Sequence, residues 1–521
     1  MKISVPHRST LWAILAGIAY VLCFPRYDVP ALSLLFMPGL IFSLHALESR
    51  KQAIRLGFLL SAMIAWGGFH WIIYVAQYFG GLSFPLALGL LCLFCLVAAP
   101  QLVAFFFFGH LLRFRIERQP LFLRPLFWAA LYTGLEFLAC FLKIFPESLG
   151  NTLIRFLPLA QAASLGGVSL LSFLPLWLGA SLAYWRKCGR GALPSVACAA
   201  ALIAALSIWG KYEKARIDAR PTEILRVGLV QQNLEEVEKM AERTTAKEAI
   251  TFTIGRMLEH NRALAPQKPD LIIWPETSYP MAFPTPSSPA QSRGAYGYAN
   301  LVKDTTAELK IPLLFGTYEN DGARDFNSAL ILGPDGGVIA GYRKQVLLIF
   351  GEYIPLTDYF PSIKELNPQM GDFGRGPGAV PTDFPWKAGV LPIGINICYE
   401  AILPTYMRPY AQRGARLFVN LTKDSWFGNT FEPWQHFQLS ILRSVEHHIP
   451  MIRSTNTGLS GLVTATGEVQ LLSEPYQEAV KVIEVPVPTN VVPTLYTRLG
   501  EWFALLCLIF SFALGLRAYR K

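Results

Sequence analysis

Charged residues are scarce in this chain of 521 residues. Only 16% of the sequence is Asp, Glu, Lys or Arg, and 52% is hydrophobic, whereas soluble proteins contain about 25% charged residues. This scarcity excludes a disordered chain and an enzyme that lies wholly in the cytosol. Internal repeats and low-complexity tracts are also lacking. The composition therefore indicates a membrane protein, and the length leaves room for a large aqueous domain.

Eight apolar stretches account for the hydrophobic composition. Most approach the ~20 residues that a helix needs to cross a bilayer, so we expect eight transmembrane helices. Seven of them occupy residues 1–210, and the eighth lies in residues 499–521. Their approximate ranges are 10–25, 29–47, 55–78, 84–110, 121–143, 160–185, 191–210 and 499–516.

Lys and Arg are distributed unevenly between these stretches. One set of connections, with both termini, holds Lys2, Arg8, Arg50, Lys51, Arg55, Arg113, Arg115, Arg118, Arg124, Arg186, Lys187, Arg190, Arg517, Arg520 and Lys521. The alternate set holds only Arg26, Lys143 and Arg155. Because cytoplasmic loops are enriched in Lys and Arg, we expect both termini in the cytoplasm and the segment before the eighth helix outside. Membrane topology accounts for the net charge of +10, so we expect no nucleic-acid partner.

The segment between the seventh and eighth stretches has a different composition. Short β-branched runs alternate with polar, helix-like stretches, which predicts α/β layers. We expect linkers at 211–222 and 488–498 and one domain over 223–487. The expected strands are 224–230, 271–274, 311–318, 328–332, 338–342, 390–397 and 417–421, and the expected helices are 235–263, 299–310 and 400–413. Residues 351–390 are rich in Pro, Gly and aromatic residues without a period, which favours a lid or a membrane-dipping loop.

Cys398 is the only one of the eight cysteines in this domain, so the domain cannot contain an internal disulfide bond. It follows the strand 390–397 at an expected turn into a helix. Such a turn can present the thiol above the sheet, near amide groups that lower its pKa and bind an oxyanion. The alternative is a buried structural cysteine. Cys92 and Cys95 lie inside an apolar stretch without further ligands, so we expect no metal or redox site there.

Two charged residues also follow predicted strands. Glu276 comes after Ile272-Ile273-Trp274-Pro275, and Lys344 comes after Gly341-Tyr342-Arg343. Strand ends of a layered α/β sheet converge on one crevice. A glutamate, a lysine and a cysteine would supply a base, a cation and a nucleophile there.

The sequences around these residues resemble the nitrilase, or carbon–nitrogen hydrolase, superfamily. The matching segments are Trp274-Pro275-Glu276, Tyr342-Arg343-Lys344, Phe350-Gly351-Glu352-Tyr353 and Ile397-Cys398-Tyr399-Glu400. Together with the apolar stretches, they resemble the apolipoprotein N-acyltransferase family of the bacterial inner membrane. The resemblance implies an α-helical bundle of eight transmembrane helices plus a periplasmic α/β nitrilase-like domain, an αββα sandwich.

The resemblance also implies a ping-pong acyl transfer. Cys398 would take an acyl chain from the sn-1 position of a phospholipid, phosphatidylethanolamine, and pass it to the α-amino group of a diacylglyceryl-apolipoprotein. Glu276 would act as general base, and Lys344 would hold the oxyanion with the amide of Tyr399. The implied supporting residues are Glu352, Tyr399, Glu400, Asn327 and Trp426. We expect no metal or cofactor, and a monomer.

Three positions depart from the family's pattern. Met240 lies where a tryptophan is expected, Glu147 follows Pro146 in place of an aromatic residue, and Ile349 replaces a proline. They concern substrate handling, because none is one of the three reactive groups. Two alternatives remain: a membrane-tethered nitrilase-type amidase acting on an external amide, and a non-enzymatic lipid-binding relative.

Overall fold

The computed structural model describes residues 5–143, 145–286, 288, 293–349, 351–353 and 373–520. They form two compact units, of which the first comprises Met1–Asp218, Thr430–Glu446 and Thr494–Lys521, and the second Ala219–Asn429 and His447–Pro493. Much of the lid predicted at 351–390 lies outside the described residues.

The helices are numbered here along the chain. They are α1 (Val5–Val21), α2 (Ser33–His45), α3 (Arg50–Phe69), α4 (Ile72–Tyr78), α5 (Phe84–Phe94), α6 (Pro100–Ile116), α7 (Leu123–Cys140), α8 (Leu157–Ala160), α9 (Ala163–Cys188), α10 (Leu193–Asp218), α11 (Val237–Arg243), α12 (Ala246–Leu264), α13 (Arg293–Leu309), α14 (Pro404–Gln412), α15 (Glu432–His447), α16 (Leu495–Leu499) and α17 (Trp502–Arg520).

The helical unit contains the apolar stretches. Among the described residues, three stretches are long and apolar enough to cross a membrane, namely Arg50–Phe69, Ala163–Asp218 and Trp502–Arg520. Shorter apolar helices cover Arg8–Val21, Pro30–His45 and Phe84–Phe94. Helix α10 continues to Asp218, so most of the linker expected at 211–222 is helical. Eight spans remain a prediction.

The apolar stretch expected at 84–110 is divided into α5 and α6. Pro100 begins α6, where the fixed φ of proline suits a first helical position. Ser61 of α3 holds the break, because its hydroxyl donates to the Cys95 carbonyl at 2.6 Å and accepts from the Ala99 amide at 3.0 Å. The serine thus satisfies backbone groups that a continuous helix would have paired internally.

Residues 430–446 belong to the helical unit, although the expected boundaries 223–487 place them in the α/β domain. Gln435 of α15 accepts a hydrogen bond from the Trp71 indole at 3.1 Å and donates to Glu147 at 2.5 Å. Glu147 and Gln435 are both buried. The carboxylate at this unusual position therefore holds α15 to the loops of the helical unit.

The second unit contains two six-stranded sheets, with strand orders β12-β1-β2-β3-β4-β5 and β11-β10-β9-β8-β7-β6. Strands β1, β2 and β3 are parallel, as are β7, β8 and β9, and the outer pairings are antiparallel. The strands are β1 (Thr222–Gln231), β2 (Leu271–Ile273), β3 (Leu313–Asn320), β4 (Asp325–Leu332), β5 (Val338–Arg343), β6 (Thr382–Trp386), β7 (Gly389–Ile397), β8 (Leu417–Thr422), β9 (Met451–Thr455), β10 (Gly461–Val463), β11 (Val469–Leu471) and β12 (Ala479–Pro488).

Helices α12 and α13 cover one face of the first sheet. Met257 of α12 and Val302 of α13 are buried with Ile272 and Phe315 of the sheet in one apolar core. Burying such side chains contributes roughly 1.5–3 kcal/mol each. The helix expected over 235–263 is interrupted before α12, because Thr245 and Glu248 form a reciprocal capping box there.

The second sheet is covered by α14 and contacts the first sheet. Tyr410 of α14 donates a hydrogen bond to the Ile395 carbonyl in β7. The Ser454 hydroxyl of β9 donates to the Val230 carbonyl of β1, in the first sheet, at 3.1 Å. The second unit is therefore a layered α/β structure, as the alternation of strands and helices predicts. Its parallel strands end beside one another.

Candidate active site

Glu276, Lys344 and Cys398 each follow the end of a strand. Glu276 lies after β2, Lys344 directly after β5, and Cys398 directly after β7. They are 6%, 1% and 8% exposed, respectively, so all three groups are withdrawn from bulk water. The Lys344 ammonium lies 3.6 Å from Oε1 of Glu276. The charges of Glu276 and Lys344 both act on the Cys398 thiol. The structure therefore brings the predicted base, cation and nucleophile near one another in a buried place.

Both carboxylate oxygens of Glu276 accept hydrogen bonds. Asn327 of β4 donates through Nδ2 to Oε1 at 2.7 Å, and the Lys423 amide donates to Oε2 at 2.8 Å. Burial raises the pKa of Glu276, while the Lys344 charge and the Asn327 hydrogen bond act in the opposite direction. A raised pKa suits a carboxylate that must accept and then return a proton.

Lys344 lies between two carboxylates. Its ammonium contacts Glu352 at 2.8 Å in addition to Glu276. Asn327 Nδ2 also donates to Oε1 of Glu352, and the Leu348 amide donates to Oε2, each at 2.8 Å. Burial by itself would lower the pKa of Lys344, but the two carboxylates outweigh burial and raise it. The raised pKa favours the charged form of Lys344.

Cys398 occupies a sharp turn between β7 and a 3₁₀ helix, Cys398–Ile402. Its φ of +54° lies in the left-handed region, which is unfavourable for a residue with a Cβ atom. Burial and the Glu276 charge raise the pKa of the thiol, and Lys344 opposes them. The raised pKa favours the neutral thiol, so a nearby base is needed to make the sulfur nucleophilic.

Glu400 connects the cysteine turn with the segment that follows Lys344. The fully buried carboxylate accepts from the Ile397 amide at 2.8 Å and from the Tyr342 hydroxyl at 2.6 Å. Its second oxygen accepts from the amides of Gln345 and Val346 at 2.8 and 3.0 Å. The geometry makes Glu400 a structural connection between the two strand ends.

The remaining predicted residues lie around the same centre. Tyr399 is 9% exposed and follows the cysteine directly. Trp426 is half-buried, and the Lys423 ammonium lies 5.8 Å from the centre of its ring. Asn327 donates hydrogen bonds to both Glu276 and Glu352.

Lys423 and the buried ion pair next to it were not predicted from the sequence. Lys423 follows β8 as Cys398 follows β7, and this position was the available signal. The Arg453 guanidinium lies 3.2 Å from Asp424 and donates to Asn420 Oδ1 at 2.7 Å. The Asn420 amide in turn donates to the Cys398 carbonyl at 3.2 Å. These contacts support the cysteine turn from the neighbouring strands.

Comparison with known proteins identifies the family. The carbon-nitrogen hydrolase family matches residues 226–489, and the apolipoprotein N-acyltransferase N-terminal domain matches residues 16–181. An apolipoprotein N-acyltransferase from Geobacter metallireducens is 31% identical, over 99% of this chain and 96% of the relative. The chain belongs to the apolipoprotein N-acyltransferase family. Another family member, from Bdellovibrio bacteriovorus, is 33% identical over 94% of this chain and 90% of its own length.

Family membership confirms the resemblance that the strand-end motifs indicated, and it makes the chain an acyltransferase built on a nitrilase-like α/β domain. Among solved structures, an amidase from Nesterenkonia sp. is similar, with a TM-score of 0.36 and 19% identity over 50% of this chain and 90% of the amidase.

Proposed function

We propose that this chain moves an acyl chain from the sn-1 position of phosphatidylethanolamine to the α-amino group of a diacylglyceryl-cysteine at the N-terminus of an apolipoprotein. The proposal rests on one observation, the buried grouping of Glu276, Lys344 and Cys398 in a chain of this family. A thioester is the suitable intermediate, because a thiolate forms it from an oxygen ester and an amine opens it readily.

In the first half-reaction Glu276 takes the proton of the Cys398 thiol. The sulfur attacks the ester carbonyl carbon, and the oxyanion that forms is stabilised by the Lys344 ammonium and the Tyr399 amide. Collapse breaks the bond between the carbonyl carbon and the glycerol oxygen. That oxygen takes the proton from Glu276, and a lysophospholipid leaves.

In the second half-reaction the apolipoprotein amine attacks the thioester. Glu276 accepts the amine proton, and the oxyanion is held by the same groups. The carbon–sulfur bond breaks, and the proton on Glu276 returns to the sulfur. The products are the N-acylated apolipoprotein and the free thiol.

The supporting residues hold Glu276, Lys344 and Cys398 in position. Glu352 and Asn327 fix Lys344 relative to Glu276, since both contact the centre directly. Glu400 fixes the cysteine turn, and Trp426 forms part of the approach for substrate. Their proposed role is positioning, because catalytic groups must be held in productive geometry by their neighbours.

The proposed setting is the bacterial inner membrane, with eight spans, both termini in the cytoplasm and the α/β domain in the periplasm, in a monomeric protein. The unequal distribution of Lys and Arg and the three long apolar helical stretches support this topology. The two lipid substrates then reach the site from the outer leaflet.

A labelled donor tests the proposal. A fluorescent phosphatidylethanolamine should label the detergent-solubilised protein at Cys398, and a diacylglyceryl peptide should then remove the label as N-acyl product. Cys398→Ser and Cys398→Ala should abolish both steps, whereas Cys188→Ser, at an exposed cysteine of the helical unit, should preserve them. Near wild-type transfer by Cys398→Ser would refute the nucleophile.

The same assay separates the alternatives. An amidase-type hydrolase would release free fatty acid or ammonia without a lipoprotein acceptor. A lipid-binding relative would bind donor but form no thioester, so Cys398→Ala would change nothing.

A further inference from the structure

A small cleft opens beside Glu276 on the side of the loop that follows β1. Its walls include Gln232, Glu236, Thr253, Glu276, Thr277 and Lys423. The centre of a water-sized group can occupy a volume of about 20 Å³ in the cleft. This volume is a little more than one such group needs. Only a small functional group, or the end of a longer molecule, fits there.

Two polar atoms in these walls have no partner among the described residues. Gln232 is 7% exposed, and its Oε1 atom is buried without a hydrogen bond. The Thr277 Oγ1 atom is likewise buried without a hydrogen bond. Leaving a buried polar atom unsatisfied is costly, so such atoms point to a bound group.

The other polar groups of the cleft are satisfied. Thr253 donates its hydroxyl to the Ala249 carbonyl at 2.9 Å. Glu236 accepts from Ser425 at 2.5 Å and pairs with the Lys423 ammonium at 2.8 Å. Among the cleft side chains that the structure describes, the buried polar atoms without a hydrogen bond are therefore Gln232 Oε1 and Thr277 Oγ1.

Thr277 also has an unusual backbone. Its φ is +50°, a conformation that β-branched residues rarely adopt. Strain of this kind persists only where the surrounding structure enforces it. Here it fixes the residue directly after Glu276.

We propose that this cleft binds the primary ammonium group of a substrate, with Gln232 Oε1 and Thr277 Oγ1 each accepting one N–H and Glu276 accepting a third. An ammonium group has three donors, carries a charge opposite to that of the carboxylate, and is about the size of a water molecule. The inference rests on the proposed function, which makes Glu276 the base. Two substrates carry this group: the apolipoprotein through its α-amino group, and the phospholipid through its ethanolamine.

The test removes the two acceptors separately. Gln232→Leu and Thr277→Val each delete one acceptor at nearly constant volume, and Gln232→Glu keeps an acceptor. Thr306→Val is the matched control, since this buried threonine donates its hydroxyl to Val302 within α13. Thermal unfolding of each variant shows whether it is folded.

Two assays distinguish the sources of the ammonium. Acyl-enzyme formation is measured with phosphatidylethanolamine and with phosphatidylglycerol, which has no amine, and transfer is measured against diacylglyceryl-peptide concentration. If the cleft binds the α-amino group, the acceptor KM rises about tenfold in Gln232→Leu and Thr277→Val, as expected for one lost charged hydrogen bond, and acylation is unchanged. If it binds ethanolamine, acylation slows with phosphatidylethanolamine and not with phosphatidylglycerol. In both cases Gln232→Glu retains function.

The cleft proposal would be overturned if neither Gln232→Leu nor Thr277→Val changed either assay. It would also be overturned if both variants lost activity equally with every substrate and unfolded at a lower temperature than wild type. Wild-type protein is assayed in parallel. Absence of a thioester in wild type would refute the proposed function, whereas active wild type with indifferent variants would refute only the ammonium site.

Discussion

The backbone amide of Lys423 donates a 2.8 Å hydrogen bond to Oε2 of Glu276. Glu276 follows β2 of the first sheet, and Lys423 follows β8 of the second. The carboxylate is therefore fixed by both sheets at once, with Asn327 of β4 holding its other oxygen. Rotation of Glu276 away from the centre would cost these hydrogen bonds.

Asn327→Ala should move the acidic limb of the pH–rate profile for acyl-enzyme formation to higher pH. The Asn327 hydrogen bond favours the charged form of Glu276 and lowers its pKa, so removing the amide raises that pKa. The base is then protonated, and activity lost, at a higher pH than in wild type. Asn320→Ala is the control, because this amide donates to Asp325 on exposed positions of the same sheet. An unmoved limb in Asn327→Ala would contradict the assignment of Glu276 as base.

Glu352→Gln should move the same limb in the opposite direction. The Glu352 charge raises the pKa of Glu276, so its removal lowers that pKa, and the carboxylate remains available at lower pH. The rate at neutral pH should fall roughly tenfold or more, since Lys344 loses its closest charged partner. Glu319→Gln, which alters a buried carboxylate paired with Arg343, is the control. Shifts of the same sign in Asn327→Ala and Glu352→Gln would disprove this electrostatic account.

Glu400→Gln should destabilise the α/β unit by about 2 to 3 kcal/mol, because a buried acceptor becomes an NH₂ group facing donors. Each oxygen of Glu400 accepts two hydrogen bonds, so neither orientation of the glutamine satisfies all four. Denaturant unfolding measures the loss. Glu484→Gln, at an exposed position of β12, should change stability by no more than about 0.5 kcal/mol. Equal stability of the two variants would show that Glu400 is not a structural connection.

Ser61→Ala should destabilise the helical unit by about 1 to 2 kcal/mol, because two backbone groups at the break between α5 and α6 lose their partner. Unfolding in mixed micelles measures this change. Ser207→Ala is the matched control, since that hydroxyl donates to the Ile203 carbonyl of its own helix. A loss no larger than in the control would mean that the break does not depend on Ser61.

Local patterns in the sequence predicted the strands that carry the site. β-branched runs before Glu276, Lys344 and Cys398 mark strand ends, and β2, β5 and β7 occur where these runs predict them. Strand ends of a layered α/β sheet converge on one crevice, which is why the three groups were predicted to meet. The structure places β2 and β5 in the first sheet and β7 in the second, so the meeting of Cys398 with the other two groups also depends on how the two sheets pack.

Contacts between distant parts of the chain could not be predicted from these local patterns. Three features depend on how the strands pair and on how the loop after β1 returns to the sheet edge. They are the hydrogen bonds from Asn327 to the two glutamates, the hydrogen bond from the Lys423 amide to Glu276, and the position of Gln232 Oε1, which has no hydrogen bond. The division of the apolar stretch 84–110 depends on Ser61, a residue of another helix. No local pattern encodes these neighbours.

The sequence by itself determined the strand ends and pointed to the family and to three candidate reactive groups, because strand-forming runs and family motifs are local properties of the chain. Only the tertiary structure decided which hydrogen bonds hold Glu276, that residues 430–446 join the helical unit, and which acceptors remain unpaired beside the base. Those outcomes follow from packing, in which the partner of each buried polar group is chosen by the fold as a whole.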